Sequence, residues 1–102
     1  MHEIQQIGSL EYRDEGYFLL RGQTLSLTPR EQALLTVLMF RRTRPVSRQQ
    51  LFEQVFSLND DVSPESIELY IHRLRKKLQE SNVRIVTLRG LGYVLELADE
   101  VG

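Results

Sequence analysis

The stretch 63–93 combines the signals of a helix with those of a β-hairpin, and it constrains the fold more than any other part of the chain. Ser63 is a helix-capping residue type, Pro64 suits the first helical position, and Glu65 complements the positive end of a helix. Apolar side chains then recur at helical spacing, at Ile67, Ile71, Leu74 and Leu78. The pattern predicts an amphipathic helix over residues 64–80.

The side of this helix opposite the apolar stripe is expected to be polar and basic. Its residues are Ser66, Leu69, Tyr70, Arg73, Lys76 and Lys77. Long cations beside hydrogen-bonding groups have the chemistry to contact phosphates and base edges of DNA. A solvated outer face has a similar composition. The helix alone therefore leaves both interpretations open.

Residues 83–97 have the composition of a β-hairpin. Residues 83–88 are rich in β-branched side chains, 89–92 contain two glycines, and 93–97 are mostly apolar. A basic helix followed by a hairpin with Arg89 at its tip is the arrangement of a winged helix. An ordinary hairpin turn with a solvated Arg89 is the alternative.

The segments IELYIHRLRKKL and IVTLRGLGYVL resemble the signature of the OmpR/PhoB family of response-regulator effector domains, and the resemblance extends over essentially all 102 residues. It implies an α+β winged helix-turn-helix whose recognition helix enters the major groove of double-stranded DNA while the wing reaches the adjacent backbone or minor groove. It also implies two copies bound to direct repeats, and a full-length protein with an N-terminal receiver domain, absent here, and a cognate sensor kinase. Similarity to a regulator of tricarboxylate transport suggests citrate-type uptake genes as targets.

The resemblance also implies roles for particular residues. The expected DNA contacts are Ser66, Leu69, Tyr70, Arg73, Lys76 and Lys77 in the recognition helix and Thr87, Arg89 and Gly90 in the wing. Candidates for the DNA backbone are Arg44, Ser47, Arg48 and His72. The family often has arginine where His72 stands and histidine where Tyr70 stands. A surface network of Glu68, His72 and Arg75 is preferred over a DNA contact for His72.

The first part of the chain, residues 4–27, is expected to form an antiparallel sheet. Short apolar segments at 7–12, 17–20 and 24–27 are separated by turn residues that include glycine. This spacing predicts a meander of three or four strands. A sheet this small must pack against the helices that follow it.

Two further helices are predicted by capping boxes. Thr28 and Glu31, with Pro29 at the first helical position, predict a helix over 29–42, and Ser47 with Gln50 predicts one over 47–57. Four arginines lie between or at the edges of these helices, at positions 41, 42, 44 and 48. They are either solvated side chains near a helix C-terminus or phosphate contacts near the next helix N-terminus.

An acidic, turn-prone loop precedes the recognition helix. Its composition is that of a connector. The resemblance implies that the corresponding loop can touch RNA polymerase, which makes Asn59, Asp60 and Asp61 candidate contacts.

Charge is distributed unevenly along the chain. The net charge is −1, with 13 basic and 14 acidic residues. Residues 64–92 contain six basic and three acidic side chains, whereas 93–102 contain three acidic and no basic ones. The basic excess therefore coincides with the predicted DNA-binding surface. An acidic protein would be attracted by the same segment, so a winged-helix protein-interaction module is the alternative function.

The remaining features argue against other functions. The chain has no cysteine, and its two histidines, His2 and His72, have no metal-ligand spacing. No nucleophile–base set or GxGxxG segment is found, so we expect no enzyme, cofactor or small-molecule ligand. The polar start and the lack of a long apolar run predict a soluble cytoplasmic domain without membrane contact. The initial Met1-His2 suggests an excised domain, with a natural short chain as the alternative.

Overall fold

An antiparallel sheet, three helices and a β-hairpin follow one another along the chain. The computed structural model describes residues 5–42, 44–57 and 60–98. The elements are β1 Gln5–Ile7, β2 Leu10–Arg13, β3 Tyr17–Leu20, β4 Gln23–Thr24, α1 Pro29–Phe40, α2 Arg48–Val55, α3 Ser66–Lys77, β5 Val83–Leu88 and β6 Gly92–Leu97. This order confirms the predicted α+β winged-helix class.

The N-terminal sheet has four strands in the order β1-β2-β3-β4, each antiparallel to its neighbour. The expectation of a single strand over 7–12 is wrong, because a turn at Gly8 and Ser9 separates β1 from β2. Gly8 has a φ of +54°, and a Cβ there would lie 2.5 Å from the Leu97 side chain. The Ser9 amide donates to the Asn82 side chain over 3.0 Å. Contacts with the C-terminal hairpin therefore fix this turn.

The predicted capping boxes of the first two helices are confirmed. In α1 the Glu31 amide donates to the Thr28 hydroxyl and the Thr28 amide donates to the Glu31 carboxylate, over 3.3 and 3.0 Å. In α2 the Gln50 amide donates to the Ser47 hydroxyl and the Ser47 amide donates to the Gln50 side-chain oxygen, over 3.1 and 3.0 Å. Local side-chain chemistry thus sets where both helices begin.

The predicted start of α3 at Pro64, with Ser63 as its N-cap, is wrong. The helix begins at Ser66 and has no side-chain cap at its N-terminus. The amides of Ser66, Ile67 and Glu68 instead bond to carbonyls three residues earlier, over 3.0–3.1 Å. A tight turn over 63–65 therefore precedes the helix and satisfies amides that the Ser63 hydroxyl was expected to cap.

The inner stripe of α3 is buried as predicted. Ile67, Ile71, Leu74 and Leu78 are each at most 1% exposed. They pack in one hydrophobic cluster with residues of α1, such as Leu38, and of the N-terminal sheet. Burying each such side chain stabilises the fold by about 1.5–3 kcal/mol. The core therefore holds α3 by one side and leaves the opposite side for a partner.

The C-terminal hairpin, or wing, is attached to the segment that precedes α2. Val46 and Tyr93 exchange two backbone hydrogen bonds of 2.8 and 2.9 Å. Gly92 has a φ of +134°, and a Cβ there would lie 2.2 Å from the Val46 carbonyl oxygen. Only glycine permits this close approach, which joins the wing to the start of α2.

Among the described residues, no helix has both the length and the apolar character needed to span a membrane.

Candidate nucleic-acid interface

The outward side of α3 is narrower than the sequence suggested. At about 100° per residue, the positions opposite the buried stripe are Leu69, His72, Arg73 and Lys76. All four side chains are exposed, and Leu69 retains 48% of its surface. We call these four residues the outer face of α3. The other predicted contacts lie to either side of it.

Arg73 and Lys76 supply the positive charge of the outer face. Among the described residues, neither forms an ion pair with a carboxylate. The Arg73 guanidinium carbon lies 5.5 Å from the centroid of the Tyr70 ring, which is a weak cation–π contact at an exposed site. Both cations are therefore available to an external anion.

Lys77 is turned away from the outer face, so its predicted outward position is wrong. Its Nζ lies 2.6 Å from the Glu31 carboxylate and 2.8 Å from the Ser26 carbonyl oxygen. Burial alone would raise the pKa of Glu31, which is 2% exposed, but the hydrogen bonds from Lys77 and the Thr28 amide outweigh it and lower that pKa. Lys77 thus joins α3 to α1.

Tyr70 and Ser66 are half-buried beside the outer face. The Tyr70 ring packs against Phe56, with ring centroids 5.8 Å apart. The Ser66 hydroxyl donates to the Ser63 carbonyl over 2.7 Å. Each presents only part of its side chain to solvent, so Tyr70 also has a packing role that sequence reasoning missed.

The predicted network of Glu68, His72 and Arg75 is wrong, because Glu68 and Arg75 each bond to other residues. The Glu68 carboxylate lies 3.0 Å from the guanidinium of Arg48, which opens α2. Arg75 donates from Nε to the Ile85 carbonyl over 3.0 Å and from Nη2 to the Thr87 hydroxyl over 2.8 Å. His72 is left on the outer face.

Arg48 serves two carboxylates at the N-terminal end of α3. Besides Glu68 it pairs with Glu65 at 3.8 Å. The hydrogen bond from the Ser63 hydroxyl, followed by a bond to a backbone amide and the charge of Arg48, lowers the pKa of Glu65. Arg48 is therefore partly neutralised, unlike the free phosphate contact that was predicted.

The wing lies beside the outer face and presents an open tip. Arg89, Gly90 and Leu91 are exposed, and no atom lies within 4 Å of a Cβ built at Gly90. Thr87 accepts from Arg75, which leaves its own hydroxyl hydrogen free to be donated. A groove of about 380 Å³ separates the wing from Ser47 and α3. The wing tip, the start of α2 and Glu68 of α3 thus border one groove.

The other predicted contacts are divided between exposed and anchored positions. Arg44 is exposed near the start of α2. The Asp60 carboxylate accepts from the Ser57 amide over 2.7 Å and from Arg30 over 3.1 Å, and these bonds, the amide first, lower its pKa. Asp61 is exposed, and Asn59 lies outside the described residues. Asp60 therefore anchors its own loop.

Sequence reasoning missed that Arg75 and Glu31 fix α3 from its two sides. Glu31 carried a signal only for its capping role, and Arg75 was assigned to a surface network. No group of three or more histidine, cysteine or carboxylate side chains with metal-binding geometry occurs among the residues described. The arrangement is that of a binding surface with exposed cations beside apolar and hydrogen-bonding groups.

Comparison with known proteins agrees with this geometry. The profile of the family described as "Transcriptional regulatory protein, C terminal" matches residues 22–95. The transcriptional regulatory protein TctD of Salmonella typhimurium (strain LT2) is 83% identical over 102 residues, covering 100% of this chain and 46% of the relative. BasR of Escherichia coli K12 is 38% identical over 79 residues, covering 78% and 35%. The chain thus spans about half the length of TctD and less of BasR.

Two solved structures have a fold similar to that of this chain. The DNA-binding domain of CpxR from E. coli has a TM-score of 0.76 at 30% identity, covering 96% of this chain and 100% of that one. The Klebsiella pneumoniae RstA DNA-binding domain, in complex with the RstA box, has a TM-score of 0.76 at 27% identity, covering 95% and 98%. Sequence profile, relatives and fold agree, and the chain belongs to the OmpR/PhoB-type family of transcriptional regulatory protein C-terminal domains.

Proposed function

We propose that this chain is the effector domain of a response regulator, and that it controls transcription by binding double-stranded DNA. The observation that carries the proposal is the outer face of α3, where Arg73 and Lys76 have no ion-pair partner among the described residues. The family assignment and the RstA domain's complex with the RstA box support it.

The proposed binding mode places α3 in the major groove and the wing on the backbone. Arg73 is positioned to donate two hydrogen bonds to guanine, the commonest specific contact in this groove. Leu69, 48% exposed, suits the methyl group of thymine. Lys76, Arg89 and the Thr87 hydroxyl suit phosphates, which fix the register of a protein on DNA.

The whole protein would add functions that this domain does not carry alone. We propose an N-terminal receiver domain controlled by a sensor kinase, and two copies bound to direct repeats in the cytoplasm. RNA polymerase is a further proposed partner, and the exposed Asp61 is the better-placed contact because Asp60 is occupied by Arg30. Regulation of tricarboxylate uptake genes stays a prediction. No catalytic role is proposed.

An amide chemical-shift titration tests the DNA contact directly. A random duplex is added to the domain at low salt, because phosphate contacts weaken as salt rises. We expect shifts on the outer face of α3, at the wing tip 88–91 and near Arg48. Unmoved signals in these regions, with the duplex in excess, would overturn DNA binding and direct the search to an acidic protein partner.

Replacing Arg73 tests whether it reads a base. We expect Arg73→Ala to weaken the preferred sequence by about 1–3 kcal/mol and to relax the preference at one position. Fluorescence anisotropy with the preferred duplex and with single-base variants measures both effects. An equal loss on every duplex would show that Arg73 contacts only phosphate.

A further inference from the structure

Acidic and basic side chains occupy opposite ends of α3. Glu68 lies in the first turn, three residues after the N-cap Glu65, whereas Arg75, Lys76 and Lys77 lie in the last turn. A carboxylate on a surface that meets phosphates weakens binding unless it has a compensating partner. An acidic residue near a helix N-terminus also interacts favourably with the helix dipole, and both Glu65 and Glu68 lie there. The contact that distinguishes Glu68 is its hydrogen bond with Arg48 beside the wing groove.

The hydrogen bonding of Glu68 is incomplete. Its Oε1 accepts from Nη1 of Arg48 over 3.0 Å. In the part of the chain described, no donor is bonded to the second oxygen, Oε2, and the side chain is 61% exposed. Arg48 thus holds the carboxylate in one orientation, offsets its charge and leaves one acceptor free.

The position of Glu68 is where base edges are read. In helix-turn-helix proteins the N-terminal residues of the recognition helix contact bases in the major groove. Glu68 borders the groove between α3 and the wing, together with Ser47 and Thr87. Its carboxylate thus lies in the first turn of α3, beside the groove, at the end of the helix where such proteins contact bases.

The major groove offers few donors to a carboxylate. Only the exocyclic amino groups of cytosine (N4) and adenine (N6) donate there, while guanine and thymine present acceptors that repel a negative oxygen. Adenine is matched best by an amide, which donates to N7 while it accepts from N6. A carboxylate has no donor for N7, so cytosine is the base that fits.

We propose that Glu68 selects cytosine by accepting a hydrogen bond from its N4 amino group, and that Arg48 is the positioning residue for this contact. The proposal deepens the proposed function, because it requires α3 to lie in the major groove. It assigns to the Arg48–Glu68 pair a preference for cytosine, in addition to the guanine contact proposed for Arg73.

Selection from a pool of random DNA duplexes tests this proposal with three proteins. The unaltered domain should enrich cytosine at one position. Glu68→Gln should reduce that preference by about 5- to 150-fold and shift it towards adenine. Glu65→Gln is the matched control, because it removes the same charge from the same arginine one turn earlier. It should leave the cytosine preference intact.

The outcomes separate this proposal from the function on which it rests. If the unaltered domain enriches no sequence and binds no duplex, DNA binding itself fails. If it binds and Glu68→Gln strengthens binding to all duplexes with the same base preference, Glu68 is only a repulsive charge and the inference is wrong.

Arg48→Ala tests the positioning role. We expect it to weaken the preference for cytosine while preferences at other positions persist, with an unchanged circular dichroism spectrum. A loss of affinity that is equal for all sequences would assign Arg48 to phosphate contact alone.

Discussion

Arg21 has a backbone conformation that an arginine adopts at a cost. Its φ is +53°, and with Gly22 at +82° it forms the two-residue turn between β3 and β4. Successive positive φ values favour asparagine followed by glycine in such a hairpin. The Arg21 side chain offsets this only by a long hydrogen bond of 3.3 Å to the Glu80 carbonyl. This residue therefore stores strain at the edge of the N-terminal sheet.

We expect Arg21→Asn to raise the free energy of unfolding by about 0.5–1 kcal/mol. A left-handed conformation costs most residues roughly 1–2 kcal/mol, and asparagine avoids part of that cost. Urea denaturation with an unchanged m-value measures the gain. Arg41→Asn is the control, because it removes an exposed arginine from an ordinary φ of −116° and should give no gain. A loss of stability in Arg21→Asn would mean that the bond to Glu80 outweighs the strain.

Lys76 and Lys77 show which properties of single residues the sequence could not predict. Lys76 and Lys77 are separated by about 100° on a helix, so the helical period places Lys76 opposite the buried stripe and Lys77 to one side. Periodicity does not decide what a side position such as Lys77 contacts. The buried Glu31, 46 positions earlier, fixes Lys77 inward. Arg73 needed no such partner, and its predicted exposure is confirmed. The sequence did not reveal the surroundings of side chains whose partners are far away along the chain.

At the scale of elements, one ion pair connects α1 to the recognition helix. Its Glu31 carboxylate is buried and has a lowered pKa, while the Lys77 side chain is 34% exposed. A carboxylate with a lowered pKa contributes stability above its unfolded pKa and loses it as the pH falls through the folded value. The pair therefore stabilises α3 at neutral pH and less in acid.

Lys77→Met should lower the free energy of unfolding at pH 7 by about 1–3 kcal/mol, because it leaves the buried Glu31 without its cation. The loss should be smaller at pH 4 than at pH 7, because without Lys77 burial raises the pKa of Glu31 with less opposition and the carboxyl is protonated more readily. Urea unfolding at both pH values measures this, and adding Glu31→Gln to the variant should recover part of the loss. Equal losses at both pH values would contradict a role for the charge.

Elements with local start signals were predicted well, and those fixed by distant contacts were not. The capping boxes at Thr28 and Ser47 begin their helices as expected because donor and acceptor are three residues apart. The turn at Gly8 depends on Asn82, 73 positions after the Ser9 that it bonds. The start of α3 depended on competition between the Ser63 hydroxyl and a backbone turn, which residue types alone did not decide.

Across the whole molecule, a net charge of −1 coexists with a basic surface. The exposed cations near the proposed duplex are Arg44, Arg73, Lys76 and Arg89. Acidic residues lie elsewhere or, like Glu68, are paired with an arginine. Local potential rather than total charge governs attraction to a polyanion within a Debye length of roughly 10 Å.

The salt dependence of binding should report which lysine contacts phosphate. For a random duplex we expect the logarithm of affinity to fall with that of salt with a slope of roughly −3 to −4, about −0.9 for each neutralised phosphate. Lys76→Met should reduce this slope by about one contact. Lys77→Met, its neighbour, should leave the slope unchanged. Equal flattening by both variants would show that Lys77 leaves Glu31 on binding.

The wing is connected to α3 through the bonds from Arg75 to β5, and to the start of α2 through the Val46–Tyr93 bonds made possible by Gly92. Together these connections fix the distance between the wing tip and α3. A duplex bound as we propose must match that opening. Sequences whose groove width differs pay a deformation energy even at base pairs that no side chain touches. The domain would therefore gauge the shape of DNA as well as read its bases.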